Sequence, residues 1–148
     1  MLVRALIAFL ALPGVVAYLV PLLLAPPSPR DTEWRSVGLL PLVGGSALLL
    51  WCVREFYVAG KGTLAPWSPP RHLVESGPYA RSRNPMYVAV TLVLLGWAVL
   101  FASWSLAVYA LLIVVAFHLR VVFFEEPWLG RTHGDQWVGY RARVRRWL

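Results

Sequence analysis

Charge is scarce in this chain: only 14% of its 148 residues are Asp, Glu, Lys or Arg, whereas 59% are hydrophobic. A soluble domain usually carries about 25% charged residues, so the composition, with a mean hydropathy of +0.62, argues against a water-soluble globular protein. Cysteine is nearly absent. Cys52 stands alone in an apolar run, which excludes an intrachain disulfide and a cysteine metal cluster. The glycines Gly60, Gly62 and Gly77 form neither a P-loop nor a dinucleotide fingerprint, so nucleoside triphosphate chemistry has no support. Metal-ligand spacing is missing too: His118 and Glu125 share a helix face, but no H-x-x-x-H or H-x-x-E set accompanies them, and no metal is expected. Lysine is reduced to Lys61 among 14 basic residues, an arginine bias consistent with a bacterial, GC-rich source.

The apolar residues fall into four runs, Leu2 to Leu24, Val37 to Ala59, Met86 to Ala102 and Leu106 to Phe124. Each is near or above the length of about 20 residues that a membrane-spanning helix needs. The expected fold is therefore an all-α integral membrane protein, a single domain over residues 1–148 with spans at about 2–24, 37–59, 86–102 and 106–124. Pro13 and Pro21 should kink the first span, at sites where neighbouring helices must satisfy the freed backbone groups. Ser103-Trp104-Ser105 leaves room only for a tight turn, so the third and fourth spans should form a hairpin.

The net charge of +7 is unevenly distributed. Arg4, Lys61, Arg71, Arg81, Arg83, Arg131, Arg141, Arg143, Arg145 and Arg146 would share one side of such a bundle, opposite Arg30 and Arg35. The positive-inside rule then puts both termini, the 60–85 connection and any chemistry at the cytoplasmic face of a cytoplasmic membrane. The basic charge is accounted for by membrane lipid, not nucleic acid. After Glu125-Glu126-Pro127, the residues Leu129, His133, Trp137, Tyr140, Val144 and Trp147 recur every three or four positions. That spacing predicts an amphipathic interfacial helix over 125–148 that also closes a ligand site.

Ionisable residues near membrane depth are Arg54, Glu55, His118, Arg120, Glu125 and Glu126. Such groups are costly and are functional candidates by default, although helix-end residues also snorkel or form ion pairs. Glu125 and Glu126 sit together at a helix C-terminus, where the macrodipole is negative, and so require a cationic partner.

The segment from Arg71 through Leu73-Val74-Glu75-Ser76-Gly77-Pro78-Tyr79 to Arg83-Asn84-Pro85-Met86-Tyr87 precedes the hairpin, and Glu125-Glu126-Pro127-Trp128-Leu129, His133-Gly134, Trp137, Tyr140 and Val144 follow it. Together they resemble the isoprenylcysteine carboxyl methyltransferase family and its phospholipid methyltransferase relatives, over residues 60–148. The resemblance implies a membrane enzyme that uses S-adenosylmethionine without a Rossmann domain, on a lipophilic or lipid-modified acceptor, with a carboxylate expected. By position, cofactor contacts would fall on Arg71, His72, Leu73, Val74, Tyr79, Asn84, Pro85, Met86, Tyr87 and Glu125. Arg120 would orient an anionic acceptor, and Glu126 or His133 would serve as base for an amine or hydroxyl.

The sequence departs from the family pattern in several places. Asn84 stands where the eukaryotic carboxyl methyltransferases have His, Trp137 replaces the first tail Tyr, and Thr132-His133 replaces a Phe pair. The family's substrate-facing Arg, one turn before the Glu, aligns with Val121, so Arg120 stands one residue off. Two other readings stay open: an NADPH-dependent membrane reductase related to sterol reductases, and a non-enzymatic small transporter or scaffold. Against them, Val88, Ala89 and Val90 lack the carboxylate of the reductases, and no run has an ionisable residue at its midplane.

Overall fold

The computed structural model describes residues 10–26, 33–59 and 72–148. The expectations for Arg4, for residues 2–9 of the first run, for Arg30 and for the 60–71 stretch with Lys61 and Arg71 lie outside these residues. Every element among the described residues is helical.

Helix α1 is a wide-turned π segment, Leu10–Leu19, that passes into an α-helical segment, Val20–Leu24. Pro13 lies inside the first and Pro21 opens the second. Without an N–H, Pro21 orphans the carbonyl that its position would cap, that of Ala17 in an α register or Val16 in a π register. Both carbonyls are captured by neighbours. Trp97 Nε1 donates to Ala17 O at 3.0 Å, and the Tyr109 hydroxyl donates to Val16 O at 3.0 Å.

A 3-10 turn, Glu33–Gly38, leads into α2, Leu39–Val58, which crosses closely against α3, Pro85–Leu100. The closeness comes from glycine. A Cβ at Gly45 would lie 2.8 Å from Ala89 O and Val93 N, and one at Gly96 would lie 2.6 Å from Leu42 N. Small residues let helix backbones touch in this way where lipid offers no hydrophobic driving force.

The α3–α4 hairpin is present, but its turn is Phe101-Ala102-Ser103, two residues earlier than expected. Ser103 N donates to Ala98 O and Ala102 N to Val99 O, both at 3.0 Å, closing α3 with a Schellman motif. Ala102 takes the left-handed position, φ 45°, where glycine is usual, so no glycine marks this turn. Ser103 caps α4, Trp104–Arg120, so Trp104 and Ser105 are already helical. A π turn, Val121–Glu125, then joins α4 to α5, Glu126–Arg143, and α5 bends at Gly134, φ 49°.

The core is narrow: Ala17, Leu49, Ala89, Val90, Val93, Leu94 and Ala110 meet between the helices. Larger apolar side chains face outward, Leu23 and Leu40 at 75% and 74% exposure and Phe124 at 70%. This inversion is stable only where the surroundings are apolar. Two helical stretches, Arg35–Val58 and Trp104–Arg143, are long and apolar enough to cross a membrane, whereas Pro13–Leu24 and Pro85–Leu100 are apolar but shorter.

Candidate functional site

The loop over 72–84 is held to the helix ends by buried polar contacts. Glu55, 8% exposed, accepts from Ser76 Oγ at 2.6 Å, from Trp51 Nε1 at 3.3 Å and from Arg54 Nη1 at 3.1 Å. Gly77, at φ +58°, passes so close that a Cβ there would lie 2.9 Å from Glu55 Cγ. Glu55 is therefore a clasp for the loop. Tyr79 follows in a 3-10 turn, Gly77–Ala80, and packs with Cys52 and Val74. Its ring meets Phe56 edge-on at 5.3 Å, and burial pushes its phenol up.

Helix α5 and the residues after it clamp the same loop from the other side. The Tyr140 hydroxyl donates to Tyr79 O at 2.7 Å, and burial raises its pKa as well. Arg143 pairs with Glu75 at 2.8 Å. Beyond Arg143 the chain is extended: Arg83 N donates to Arg145 O and Asn84 Nδ2 to Arg146 O, each at 2.9 Å. Trp147 stacks on His118. The helical spacing of Val144 and Trp147 thus does not continue the helix, and Trp137 and Tyr140 face the loop, not the lipid headgroups.

These elements and the facing helices line a half-open cavity of about 850 Å³, within the range of small-molecule sites. Of the expected cofactor contacts, His72, Leu73, Val74, Tyr79, Asn84, Met86, Tyr87 and Glu125 line it, while Pro85 starts α3 without lining it. Arg120 and His133 are also on the wall. Sequence reasoning missed Phe56, Phe117, Trp137 and Arg83 as wall residues. Arg83 carried a signal as the first residue of the Arg-Asn-Pro-x-Tyr motif, and Trp137 as a member of the helix expected to close the site.

The two adjacent carboxylates separate. Glu125 faces the cavity and accepts on Oε1 from the Tyr87 hydroxyl and from Arg120 Nε, the latter at 2.8 Å. The π turn makes this pairing possible. A π turn holds one more residue than an α turn, so Arg120, five positions before Glu125, stands one turn below it.

Glu126 does not line the cavity. Arg146 grips both its oxygens, Nε to Oε1 at 2.8 Å and Nη2 to Oε2 at 2.9 Å, and Arg83 Nη1 lies 3.0 Å from Oε1. Burial raises its carboxyl, but the Arg146 hydrogen bonds and the Arg83 and Arg146 charges outweigh burial and hold it below the usual range. A committed ion-pair partner of this kind is poorly suited to the role of base expected of it.

The family model of the phospholipid methyltransferases matches residues 34–136, more than half of the chain. The chain belongs to that family. No curated protein and no solved structure matches it. Membership makes this chain a methyltransferase with a membrane, lipid-like substrate. The match ends within α5, before the extended residues whose Arg145 and Arg146 hold the loop and Glu126.

Proposed function

We propose that the chain transfers the methyl group of S-adenosylmethionine to a lipophilic acceptor that reaches the cavity from the bilayer. The observation that carries this reading is Glu125, of the described residues the one carboxylate on a wall of mainly aromatic and aliphatic side chains that also carries Arg83, Arg120 and His133, among the loop and helix ends that the family pattern marks. The wall fits such a donor: Tyr79, Tyr87 and Phe56 offer faces for adenine, the 72–74 backbone offers amides and carbonyls, and Glu125 offers a negative charge to an ammonium or sulfonium.

When bound, S-adenosylmethionine supplies an electrophilic methyl group on a sulfonium. The protein's part is to position and to exclude water, because displacement by an anionic oxygen consumes charge and gains from a dry site. Tyr87 and Arg120 fix the rotamer of Glu125. A carboxylate acceptor would need no base, which suits a site where Glu126 is committed elsewhere and where Arg120, its Nε held by Glu125, is a cation on the wall. An amine acceptor would need one, and His133 is the wall residue proposed for it.

Tyr87 and Phe117 also line a second, apolar groove of about 580 Å³ between α3 and α4, with Thr91, Leu92, Val114 and Val115. A lipid tail in that groove would place its polar end at the wall the two sites share. The four-span arrangement, with the loop and α5 at one membrane face, belongs to the same proposal.

Calorimetry with the purified protein in detergent tests the donor. S-adenosylmethionine should bind, and Glu125→Gln, which keeps shape but removes charge, should weaken it at least about tenfold. Unchanged affinity in the folded variant would remove Glu125 from the site, and tight NADPH binding without S-adenosylmethionine binding would favour the reductase reading.

A further inference from the structure

The cluster behind the cavity has more positive charge than it can neutralise. Arg83 and Arg146 share one carboxylate, Glu126, and Arg146 takes both of its oxygens. The Arg83 side chain is only 9% exposed, and its Nε and Nη1 donate no hydrogen bond. Its Nη1 contact with Glu126 is a charge contact at 3.0 Å on an oxygen that Arg146 already occupies. The guanidinium otherwise rests over Trp137, 5.5 Å from the ring centroid. An arginine cannot shed its charge, and native interiors leave few buried N–H groups unmatched. Arg83 nevertheless lines the cavity, on the same wall system as Glu125.

We infer that Arg83 receives an oxyanion of the bound ligand, a carboxylate or a phosphate, so that the cavity reads a molecule with a negative group at Arg83 and a positive one at Glu125. The assignment rests on the proposed function, and the two sources it allows are the amino-acid carboxylate of the methyl donor and the phosphate of a lipid acceptor. Both match a guanidinium fork, and hydrogen bonds to charged partners of this kind are worth a tenfold effect or more. Burial, with the Arg146 and Arg141 charges, lowers the Arg83 pKa, and the Glu126 charge opposes that.

Binding measurements on the full chain in dodecylmaltoside distinguish the sources. One arm compares S-adenosylmethionine with its decarboxylated analogue, and the other compares phosphatidic acid with diacylglycerol. The parent protein should prefer the anionic member of one pair by at least about tenfold. Arg83→Met should abolish that preference and leave the affinity of the neutral or decarboxylated member unchanged, a pattern that a general loss of structure would not produce. Arg83→Lys keeps the charge that the Glu126 cluster needs and should retain part of the preference if the Met variant does not fold. Loss in the first arm assigns the carboxylate and loss in the second assigns the phosphate. A parent with neither preference, or a folded Arg83→Met protein that keeps it, overturns the inference while leaving donor binding intact. A parent that does not bind S-adenosylmethionine at all overturns the proposed function, and the lipid arm then decides Arg83 alone.

Discussion

Glu125 and Glu126 are neighbours in sequence and opposites in duty. Their backbone positions differ by about 100° around a helix, so one faces the cavity and the other faces the residues that follow α5. The requirement that something cationic meet this pair is met, but by Arg120 for Glu125 and by Arg83 with Arg146 for Glu126. Arg54 pairs with its own neighbour Glu55, not across the bundle with Glu125, because its side chain points outward while Glu55 turns in to the loop. A pH consequence follows for Glu126. Its folded pKa is depressed, so its contribution to stability is present above the unfolded value of about 4.3 and is lost as pH falls through the lower folded value. Thermal unfolding between about pH 3 and pH 5 should therefore show a steeper acid decline for the parent than for Glu126→Gln. Equal slopes would mean that Arg146 and Arg83 do not hold this carboxylate in solution.

At the scale of elements, proline and glycine set the architecture more than hydropathy does. Pro21 frees a carbonyl in α1, and an indole from α3 and a phenol from α4 bind the two candidates, Ala17 O and Val16 O, so α1 is tied by direction as well as by packing. Trp97→Phe should cost about 1–3 kcal/mol, the usual penalty for a buried group left unmatched. Pro21→Ala restores a backbone donor, so in that background the same change should cost markedly less. Thermal unfolding of the four proteins in detergent gives the coupling, and simple additivity would show that Trp97 contributes by packing alone. The bound carbonyls were foreseeable from Pro21; their partners were not, since Trp97 and Tyr109 lie about 80 and 90 residues away. The tight α2–α3 crossing was legible only in hindsight. Gly45 and Gly96 read as tolerated helix glycines until another backbone is seen against each.

For the whole molecule, loop and C-terminal residues are on one side by direct contact, Glu75 with Arg143 and Tyr79 with Tyr140, while the Trp104 turn is at the far end of α3 and α4. Cys52 is buried and is the sole cysteine, so a Cys52→Ser background suits labelling. In sealed vesicles, Glu75→Cys and Arg143→Cys should react with an impermeant maleimide from the same side, and Trp104→Cys only from the other. Labelling of all three from one side would refute the membrane-crossing hairpin.

Composition and spacing alone determined that the chain is helical and built on apolar runs, and the family resemblance pointed to the loop before Pro85 and the acidic pair after Phe124 as the candidate site. Those features are local, or follow from runs of one residue type, and a linear reading captures them. Tertiary structure decided which carboxylate faces the cavity, how a π turn returns Arg120 to Glu125, and that Arg83 is left with half a partner. Each depends on the angular phase of a helix or on residues after α5 that fold back more than 60 positions onto the loop. Phase and return contacts are fixed by packing in three dimensions, and no spacing within one segment encodes them.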